Sequence, residues 1–436
     1  MQNKQQFCNL ISRSISRVAT TALAIATVFA LTVLLTQSAQ AQTFKVIHTF
    51  TGGADGQGPY AGLTADAAGS FYGTTGGYGT GGTAFRLSKK GSGWVFNPLY
   101  AFHGGNDGAY PTARVIFGPD GSLYGTTVEG GVNGCFNGCG TVFNLKPPAA
   151  ACKTALCPWT ETVLYRFTGG SDGGQPSGGD LTFDQLGNIY GTTGAGGYQG
   201  GDCSANGGCG VVFELTPSNG GWTESVVYTF TGGSDGANPA AGVIFDKAGN
   251  LYGTAWLGGN PGCFYGGCGT VYQLTPSGSG WAVNVLYSFQ GGSDGGEPNA
   301  GLIFDGSGNL YGTTIIGGSD NDGTVFELTS SGGGWTFDPL YSFTGIWGSS
   351  GSLVMDASGN LYGTTTDGGA YGYGSVFKLT PSGGSWTYTS LHDFPWYKDG
   401  GTLYGNVIFD ANGNLYGTAS SGGLDSGYGT VWEITP

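Results

Sequence analysis

Six aspartates recur at one position of an internal repeat, and their carboxylates are the first groups in the sequence that could support chemistry. They are Asp55, Asp107, Asp172, Asp235, Asp294 and Asp399. Carboxylate oxygens are ligands that Ca²⁺ prefers, so a ring of them could bind calcium. Each aspartate also precedes a glycine, and an Asp side chain in that setting commonly caps its own turn. One carboxylate per repeat is sparse for a shared ion. We therefore predict turn caps, no metal site and no cofactor, with calcium as the alternative.

The three histidines could act as bases or metal ligands, but their places in the repeat favour packing. His48 and His392 stand where the other repeats have Tyr100, Tyr165, Tyr228, Tyr287 and Tyr341. His103 follows its strand where other repeats have threonine. Neither metal-ligand spacing nor a nucleophile motif accompanies them. We therefore assign no catalytic residue, and whether the chain is an enzyme stays open.

The best candidates for ligand binding are residues that depart from the repeat. One loop gains Trp347, and the next gains Trp396, Tyr397 and Lys398. Further aromatic side chains enter loops of a second type, at Trp256, Phe136, Phe264 and Tyr265. Aromatic rings beside polar groups can stack on sugar rings or hold a peptide. The alternative is that these rings cover the ends of the structural units.

Eight cysteines follow the N-terminal region in four close pairs. The pairs are Cys135 with Cys139, Cys152 with Cys157, Cys203 with Cys209, and Cys263 with Cys268. An even number of cysteines in an exported chain favours local disulfides, and zinc is the alternative. Because each pair closes a short loop, we expect these disulfides to stiffen loops more than they stabilise the whole fold.

These residues are positioned by a repeat whose core is Tyr-Gly-Thr. It occurs at Tyr72, Tyr124, Tyr190, Tyr252, Tyr311, Tyr362 and Tyr416, so successive copies are 51 to 66 residues apart. Residues 298–343 show one copy, with predicted strands at 300–305, 309–314, 323–329 and 335–343. Four short antiparallel strands per repeat indicate an all-β, seven-bladed β-propeller, and a β-solenoid is the alternative. The Tyr of the core and the Trp that opens most fourth strands are predicted to pack between blades.

The termini predict how the ring closes. Residues 44–50 resemble a fourth strand, and residues 429–435 resemble a third strand without its partner. We expect these two strands to pair in one blade, which would leave no open sheet edge between the ends. The longer and more variable loops should then share one face of the propeller, where we place any ligand.

The motifs Asn-Leu-Tyr-Gly-Thr-Thr and Gly-Thr-Val-Phe-Glu-Leu-Thr resemble the GloVer (Gloeo–Verruco) tandem repeat over about residues 44–436. The resemblance implies an exported bacterial repeat protein, often with a C-terminal surface anchor. The sequence ends at Pro436 without such an anchor, so we expect release from the cell surface. The resemblance implies no settled activity and therefore supplies no catalytic residues.

Residues 1–41 are predicted to be a cleaved signal peptide that precedes the repeat domain, residues 42–436. They combine a basic start, an apolar run at 18–35 and an Ala-Gln-Ala cleavage site, and an uncleaved anchor is the alternative. The 14 Lys and Arg include Lys4, Arg13 and Arg17, so cleavage leaves 11 against 28 Asp and Glu, a net charge of −17. This charge argues against nucleic acid and anionic membranes as partners. We expect a secreted or periplasmic monomer.

Three functions are compatible with these patterns. The first is a non-catalytic binding propeller that recognises a saccharide or an envelope protein on the long-loop face. The second is an exported lyase or hydrolase, which would need ionisable groups clustered at the central opening. The third is a structural or adhesive repeat protein.

Overall fold

The computed structural model describes residues 42–77, 81–148, 159–176, 178–263, 266–278, 280–345, 348–424 and 427–436. Phe44–Thr435 form one compact body. Within these described residues, twenty-eight strands form seven sheets of four strands each. The described residues include no α-helix, only 3₁₀ turns at Gly105–Asp107 and Gly201–Asn206.

We number the blades in chain order, and each blade runs from a two-residue inner strand to an outer strand. Blade 1 contains β2 (Thr64–Ala65), β3 (Phe71–Thr75), β4 (Thr83–Lys90) and β5 (Gly93–Ala101). Blade 2 contains β6 (Ile116–Phe117), β7 (Leu123–Thr127), β8 (Thr141–Lys146) and β9 (Thr160–Arg166). Blade 3 contains β10 (Thr182–Phe183), β11 (Ile189–Thr193), β12 (Val211–Ser218) and β13 (Gly221–Thr229). Blade 4 contains β14 (Ile244–Phe245), β15 (Leu251–Ala255), β16 (Thr270–Ser277) and β17 (Gly280–Ser288).

The remaining blades follow the same order. Blade 5 contains β18 (Ile303–Phe304), β19 (Leu310–Thr313), β20 (Thr324–Ser331) and β21 (Gly334–Ser342). Blade 6 contains β22 (Val354–Met355), β23 (Leu361–Thr365), β24 (Ser375–Ser382) and β25 (Ser385–Asp393). Blade 7 contains β26 (Ile408–Phe409), β27 (Leu415–Ala419), β28 (Thr430–Thr435) and β1 (Thr43–Thr49).

Ring closure occurs in blade 7, as predicted, because β1 is the outer neighbour of β28. The backbone N–H of Phe50 donates to the Gly429 carbonyl at 3.0 Å. The other blades repeat this bond, for example from Phe343 to Gly323 at 3.0 Å. A buried cluster also joins Phe50 and Val431 of blade 7 to Phe71 of blade 1. The two ends of the repeat domain therefore complete one blade with the same bonds as the rest.

The glycine of the Tyr-Gly-Thr core is explained by the strand beside it. In blade 4, a Cβ on Gly253 would overlap the ring of Tyr272 in the third strand. Phe85, Phe143, Phe213, Phe326, Phe377 and Trp432 cover the matching glycines in the other blades. A glycine in a strand often marks such a close approach. The small residue thus gives each blade room for one large buried ring.

Blades pack through one apolar cluster at each junction, and these clusters contain the core tyrosines. Tyr252 of blade 4 packs edge-on against Phe304 of blade 5, with ring centroids 5.2 Å apart. Trp335 opens the outer strand of blade 5 and lies 6.1 Å from the same tyrosine. The predicted packing of the Tyr and Trp positions between blades is confirmed.

One strand prediction was too long. Residues 300–305 were expected to form the inner strand of blade 5, but β18 covers only Ile303–Phe304. The preceding backbone turns to the propeller axis instead, and the Ala300 carbonyl accepts a bond from the Thr254 hydroxyl of blade 4 at 3.0 Å. In each blade one apolar residue, here Leu302, directly precedes the inner strand. We call the three residues before it the axial segment, which is 299–301 in blade 5. The other axial segments are 60–62, 112–114, 178–180, 240–242, 350–352 and 404–406.

Candidate functional site

Two kinds of longer connection lie on one face, which we call the long-loop face. First loops connect an outer strand to the next blade, and second loops connect the second strand to the third strand of one blade. The turns on the opposite face follow the predicted turn chemistry, since the Asp246 carboxylate accepts bonds from the backbone N–H groups of Ala248 and Asn250. The long-loop face therefore contains the variable loops, as predicted.

Five of the six first-loop aspartates accept a bond from the backbone N–H four residues earlier, whereas Asp399 follows a proline at that position and contacts His392. In the fourth first loop, Asp235 accepts bonds from the Thr231 backbone N–H at 2.8 Å and the Tyr228 hydroxyl at 3.0 Å. Asp172 makes the same contacts with Thr168 and Tyr165. The predicted role of these aspartates in capping their loops agrees with this geometry. The described residues contain no group of three or more His, Cys, Asp or Glu side chains placed to hold a metal.

The sequence did not predict that the residue seven positions before each aspartate is its partner. In four loops that residue is a tyrosine whose hydroxyl donates to the carboxylate. Two histidines occupy that tyrosine position and contact the same carboxylate. His392 Nε2 lies 3.0 Å from Asp399, and His48 Nε2 lies 3.4 Å from Asp55, beyond a good hydrogen bond. Burial lowers the pKa of both imidazoles, while the neighbouring aspartates oppose that effect. We call each first-loop aspartate and its partner seven residues earlier the loop clamp. His48 and His392 therefore belong to loop clamps, in agreement with their predicted structural role.

The next blade covers this clamp with one side chain from its outer strand. In three blades that side chain is phenylalanine, as where Phe337 stacks on Tyr287 with centroids 4.2 Å apart. Blades 2 and 3 have Glu161 and Glu224 instead. Burial, followed by the nearby Asp107 carboxylate, raises the pKa of Glu161 to about 7. Burial and Asp172 raise the pKa of Glu224 to about 7. These glutamates bring a second carboxylate beside a loop aspartate.

The predicted ligand-binding residues are distributed as follows. Trp396, Tyr397 and Lys398 are exposed on the seventh first loop. Trp256 is half-buried, and its indole N–H donates to Glu297 at 3.2 Å. Trp347, Phe264 and Tyr265 lie outside the described residues. Phe136, also predicted, is exposed on the second loop of blade 2. Of the predicted set, the structure thus brings Trp396, Tyr397 and Lys398 together and places Trp256 and Phe136 in other blades, so those two are not part of one site with Trp396.

Trp396 has an unusual backbone conformation. It has a φ of 70°, in the left-handed region that a bulky residue rarely adopts. The other six first loops have glycine there, namely Gly52, Gly104, Gly169, Gly232, Gly291 and Gly345. A left-handed conformation costs a non-glycine residue roughly 1–2 kcal/mol. Strain of this kind often occurs at ligand sites, so Trp396 is a candidate for function rather than for stability.

Exposed aromatic rings are concentrated in blades 6 and 7 and in the loop between them. Among the described residues, eight aromatic side chains are exposed, and all eight lie in connections of the long-loop face. Six of them come from blades 6 and 7 and the loop between them, and we call these six the aromatic patch: Tyr371, Tyr373, Trp396, Tyr397, Tyr404 and Tyr428. The Tyr373 and Trp396 rings touch at 5.0 Å. The sequence analysis missed four of these residues because tyrosine is common throughout the repeat.

Three of the four predicted disulfides are formed, namely Cys135–Cys139, Cys203–Cys209 and Cys263–Cys268. Each bond lies against the left-handed glycine of the next first loop, as Cys263 and Cys268 do against Gly291. Tyr428 covers Gly52 in the same way in blade 7. Disulfides in blades 2 to 4 and tyrosine rings in blades 6 and 7 therefore occupy the same junction position.

The fourth predicted disulfide is not among the bonds that the structure shows. Its two cysteines, Cys152 and Cys157, lie outside the described residues, between Pro148 and Trp159. The structure therefore does not test the pairing of Cys152 with Cys157, and this disulfide stays a prediction.

The axial segments enclose a central cavity of about 530 Å³. Tyr60 and Tyr404 line it, with ring centroids 5.6 Å apart. Arg114 of blade 2 and Asp180 of blade 3 also line it and form an ion pair at 2.7 Å. Among the described residues these two are the charged side chains of the lining, and they neutralise each other. Their signal in the sequence was the replacement of a small axial residue by a charged one.

Several solved structures are similar to this chain at low sequence identity. The extracellular domain of a candidate one-component system from Bacteroides thetaiotaomicron matches with a TM-score of 0.51 and 12% identity, over 91% of this chain and 42% of that chain. A candidate 6-phosphogluconolactonase from Bacteroides fragilis matches with a TM-score of 0.49 and 17% identity, over 82% and 88% of the two chains. A candidate oxidoreductase (glucose dehydrogenase) from Thermus thermophilus has a TM-score of 0.45 and 16% identity, over 91% and 100% of the two chains. These likenesses concern the fold alone.

No curated protein matches the sequence. Within the described part of the chain, no helix has the length and apolar character to cross a bilayer. A family model described as the Gloeobacter/Verrucomicrobia repeat matches residues 24–265 and 262–436. Because these two matches cover most of the sequence, the chain belongs to the Gloeobacter/Verrucomicrobia repeat family.

Proposed function

We propose that this protein is an exported, non-catalytic propeller that binds a saccharide through the aromatic patch on its long-loop face. The observation that carries the proposal is the concentration of six exposed rings in blades 6 and 7. Aromatic faces pack against the C–H faces of sugar rings, while neighbouring hydroxyl groups can bond sugar hydroxyls. The exposed Lys398, next to Trp396 and Tyr397, adds a hydrogen-bond donor at the same loop.

The conformation of Trp396 supports the same surface. A glycine would fill this position without strain, and six other first loops have one. Trp396 is strained and exposed, and its ring contacts Tyr373. It therefore adds little to the stability of the fold compared with a glycine at the same position. Its retention is better explained by a ligand than by packing.

The test is capture of the purified protein on insoluble and immobilised glycans, including cellulose, chitin and peptidoglycan. We expect the wild type to be retained on at least one of them. Trp396→Gly and Tyr397→Ser should each weaken retention at least tenfold, since each removes a stacking surface. Trp396→Gly should still fold because glycine is the usual residue there.

Phe136→Ser provides the matched control. Phe136 is 84% exposed on the same face but belongs to blade 2, away from the aromatic patch. This variant should bind like the wild type. Failure of the wild type to bind any glycan, or equal losses in Phe136→Ser and Trp396→Gly, would overturn the proposal. Specific recovery of one envelope protein on the patch would favour a protein ligand instead.

Export is part of the proposal and has its own test. The disulfides of blades 2 to 4 fit an oxidising compartment. N-terminal sequencing of the protein recovered from the periplasm or medium should begin at Gln42 if residues 1–41 are removed. Recovery of an intact N-terminus in the membrane fraction would support the uncleaved anchor.

A further inference from the structure

We propose that the central cavity, which shares Tyr404 with the aromatic patch, is a second binding site for one neutral sugar ring or a polyol of similar size. The cavity, at about 530 Å³, lies within the range of roughly 300–1,000 Å³ that is typical of small-molecule pockets. Its lining combines two tyrosine rings with a paired Arg114 and Asp180. This site is at the axis and does not use Trp396 or Tyr397.

The ion pair exists because blades 2 and 3 depart from the repeat. The last axial residue is glycine in blades 1, 4 and 5, at Gly62, Gly242 and Gly301, but Arg114 in blade 2 and Asp180 in blade 3. Blade 3 also has one extra residue, since four residues separate Pro176 from Leu181 whereas three separate Pro239 from Val243. A charged pair has thus been introduced at one junction of a ring whose other described lining residues are uncharged.

This departure removes a hydrogen bond that the other junctions make. In six blades, the first threonine after Tyr-Gly bonds a backbone carbonyl at or beside the next axial segment, at 2.8 to 3.2 Å. The exception is Thr126 of blade 2, which faces the lengthened segment. Its hydroxyl is buried and has no hydrogen-bond partner among the residues that the structure describes. Local rules that are broken at one place in a regular fold commonly mark a functional site.

The geometry of the pair determines the chemistry of the ligand. Arg114 Nε and Nη2 both contact Asp180 Oδ2, at 2.9 and 2.7 Å, and the Arg114 backbone N–H contacts Oδ1 at 3.1 Å. The guanidinium has five N–H donors, so Nη1 and its two hydrogens are not used by this pair. The carboxylate also keeps acceptor sites. A donor and an acceptor side by side suit the vicinal hydroxyls of a sugar.

Charge argues for a neutral ligand. Asp180 already neutralises Arg114, and the whole chain has a net charge of −14. An added carboxylate would approach Asp180 without an unpaired cation to balance it. The rings of Tyr60 and Tyr404 supply an apolar wall for the C–H face of the sugar, and Tyr404 is 40% exposed. Asn299 and Ser350 place further polar groups along the lining.

The experiment is titration calorimetry, with ligand-observed NMR, on the full mature protein. The probes are D-glucose, D-galactose, D-mannose and myo-inositol, with D-glucuronate as the charged comparison. At least one neutral probe should bind saturably, and glucuronate should bind at least tenfold more weakly than its neutral counterpart glucose. Because the site is neutral, raising the salt concentration should change affinity for the neutral probe by less than twofold.

Variants locate the binding and separate it from the aromatic patch. Arg114→Met should weaken binding at least tenfold, whereas Arg86→Met should not, since Arg86 pairs with Asp66 on the turn face at 3.7 Å. Asn299→Trp, which leaves the ion pair intact and fills the cavity, gives the same answer if Arg114→Met fails to fold. Trp396→Gly should leave this binding unchanged, so the two proposals fail independently. Binding of no neutral probe, tighter binding of glucuronate than of glucose, or equal losses in Arg86→Met and Arg114→Met would overturn the proposal.

Discussion

Each first-loop aspartate contacts the residue seven positions earlier, and either tyrosine or histidine can make that contact. Tyrosine donates from its hydroxyl in four blades, and His392 reaches Asp399 from the same position. The sequence contained little sign of this bond, because the one first loop without the aspartate, after Tyr341, belongs to a repeat that keeps the tyrosine. Single positions predicted packing correctly, but the bond required two positions seven residues apart to be read together.

Glu161 and Glu224 should make stability depend on pH. Their pKa values are raised to about 7 by burial and by a nearby aspartate, from an ordinary value of 4.5. The folded protein therefore holds more protons than the unfolded chain between these values, so the free energy of unfolding falls as pH rises through that window. Glu161→Gln and Glu224→Gln should flatten this fall and raise Tm at about pH 8, each by on the order of 1–2 °C.

Thermal melting of the variants between about pH 5 and pH 8 measures the effect. Glu129→Gln is the matched control, since Glu129 accepts a bond from Asn137 on a second loop and lies outside the clamp. Glu161→Phe should raise Tm at every pH in the window, because Phe96 and Phe337 already stack on the clamp in other blades. A Tm that rises from pH 5 to pH 8 in the wild type but not in the two glutamine variants would contradict the assignment.

Among the loops, one junction position decides how each blade meets the next first loop. The residue that precedes the third strand's opening glycine is cysteine in blades 2 to 4, Asp322 in blade 5 and tyrosine in blades 6 and 7. Asp322 accepts a bond from the Gly345 backbone N–H at 2.5 Å, while the cysteines and Tyr428 cover a glycine directly. The sequence predicted the disulfides from expected export and an even number of cysteines in close pairs. Their contact with the neighbouring blade required the ring geometry.

Two glycine variants separate the conformational cost at this junction from the steric cost. Gly104 and Gly291 have φ values of 77° and 73°, but a methyl group at Gly104 meets open space whereas one at Gly291 overlaps Cys263 Sγ. Gly104→Ala should therefore cost about 1 kcal/mol from backbone strain. Gly291→Ala should cost about 1–3 kcal/mol more, from overpacking against the disulfide. Urea unfolding measures both values, and equal losses would show that the disulfide does not fill this space.

At the level of the whole ring, the sequence predicted seven blades and their closure because both follow from periodicity. It implied a central opening but did not predict the ion pair that lines it. Arg114 and Asp180 are 66 residues apart and belong to different blades, so nothing in their spacing connects them. It also missed most of the aromatic patch, since rings from blades 6 and 7 become neighbours only when the loops share a face. Regular features could be inferred from the repeat, whereas sites built across blades needed coordinates.

Closure itself gives the last prediction. Deleting residues 42–50 removes β1, exposes the edge of β28 and uncovers the Phe50 site in the blade 7–blade 1 cluster. An exposed edge strand promotes pairing with another chain, so this variant should melt at a lower temperature and form dimers or aggregates.

A circular permutant should stay monomeric if a short Ser-Gly-Gly turn joins β28 to β1 and the chain is cut at the Gly332–Gly333 turn of blade 5. The new turn and the cut are at equivalent places, because β20 and β21 are the third and fourth strands of blade 5, as β28 and β1 are of blade 7. Size-exclusion chromatography with light scattering and thermal melting distinguish these outcomes. A truncated protein as stable and monomeric as the wild type would show that β1 adds nothing to closure.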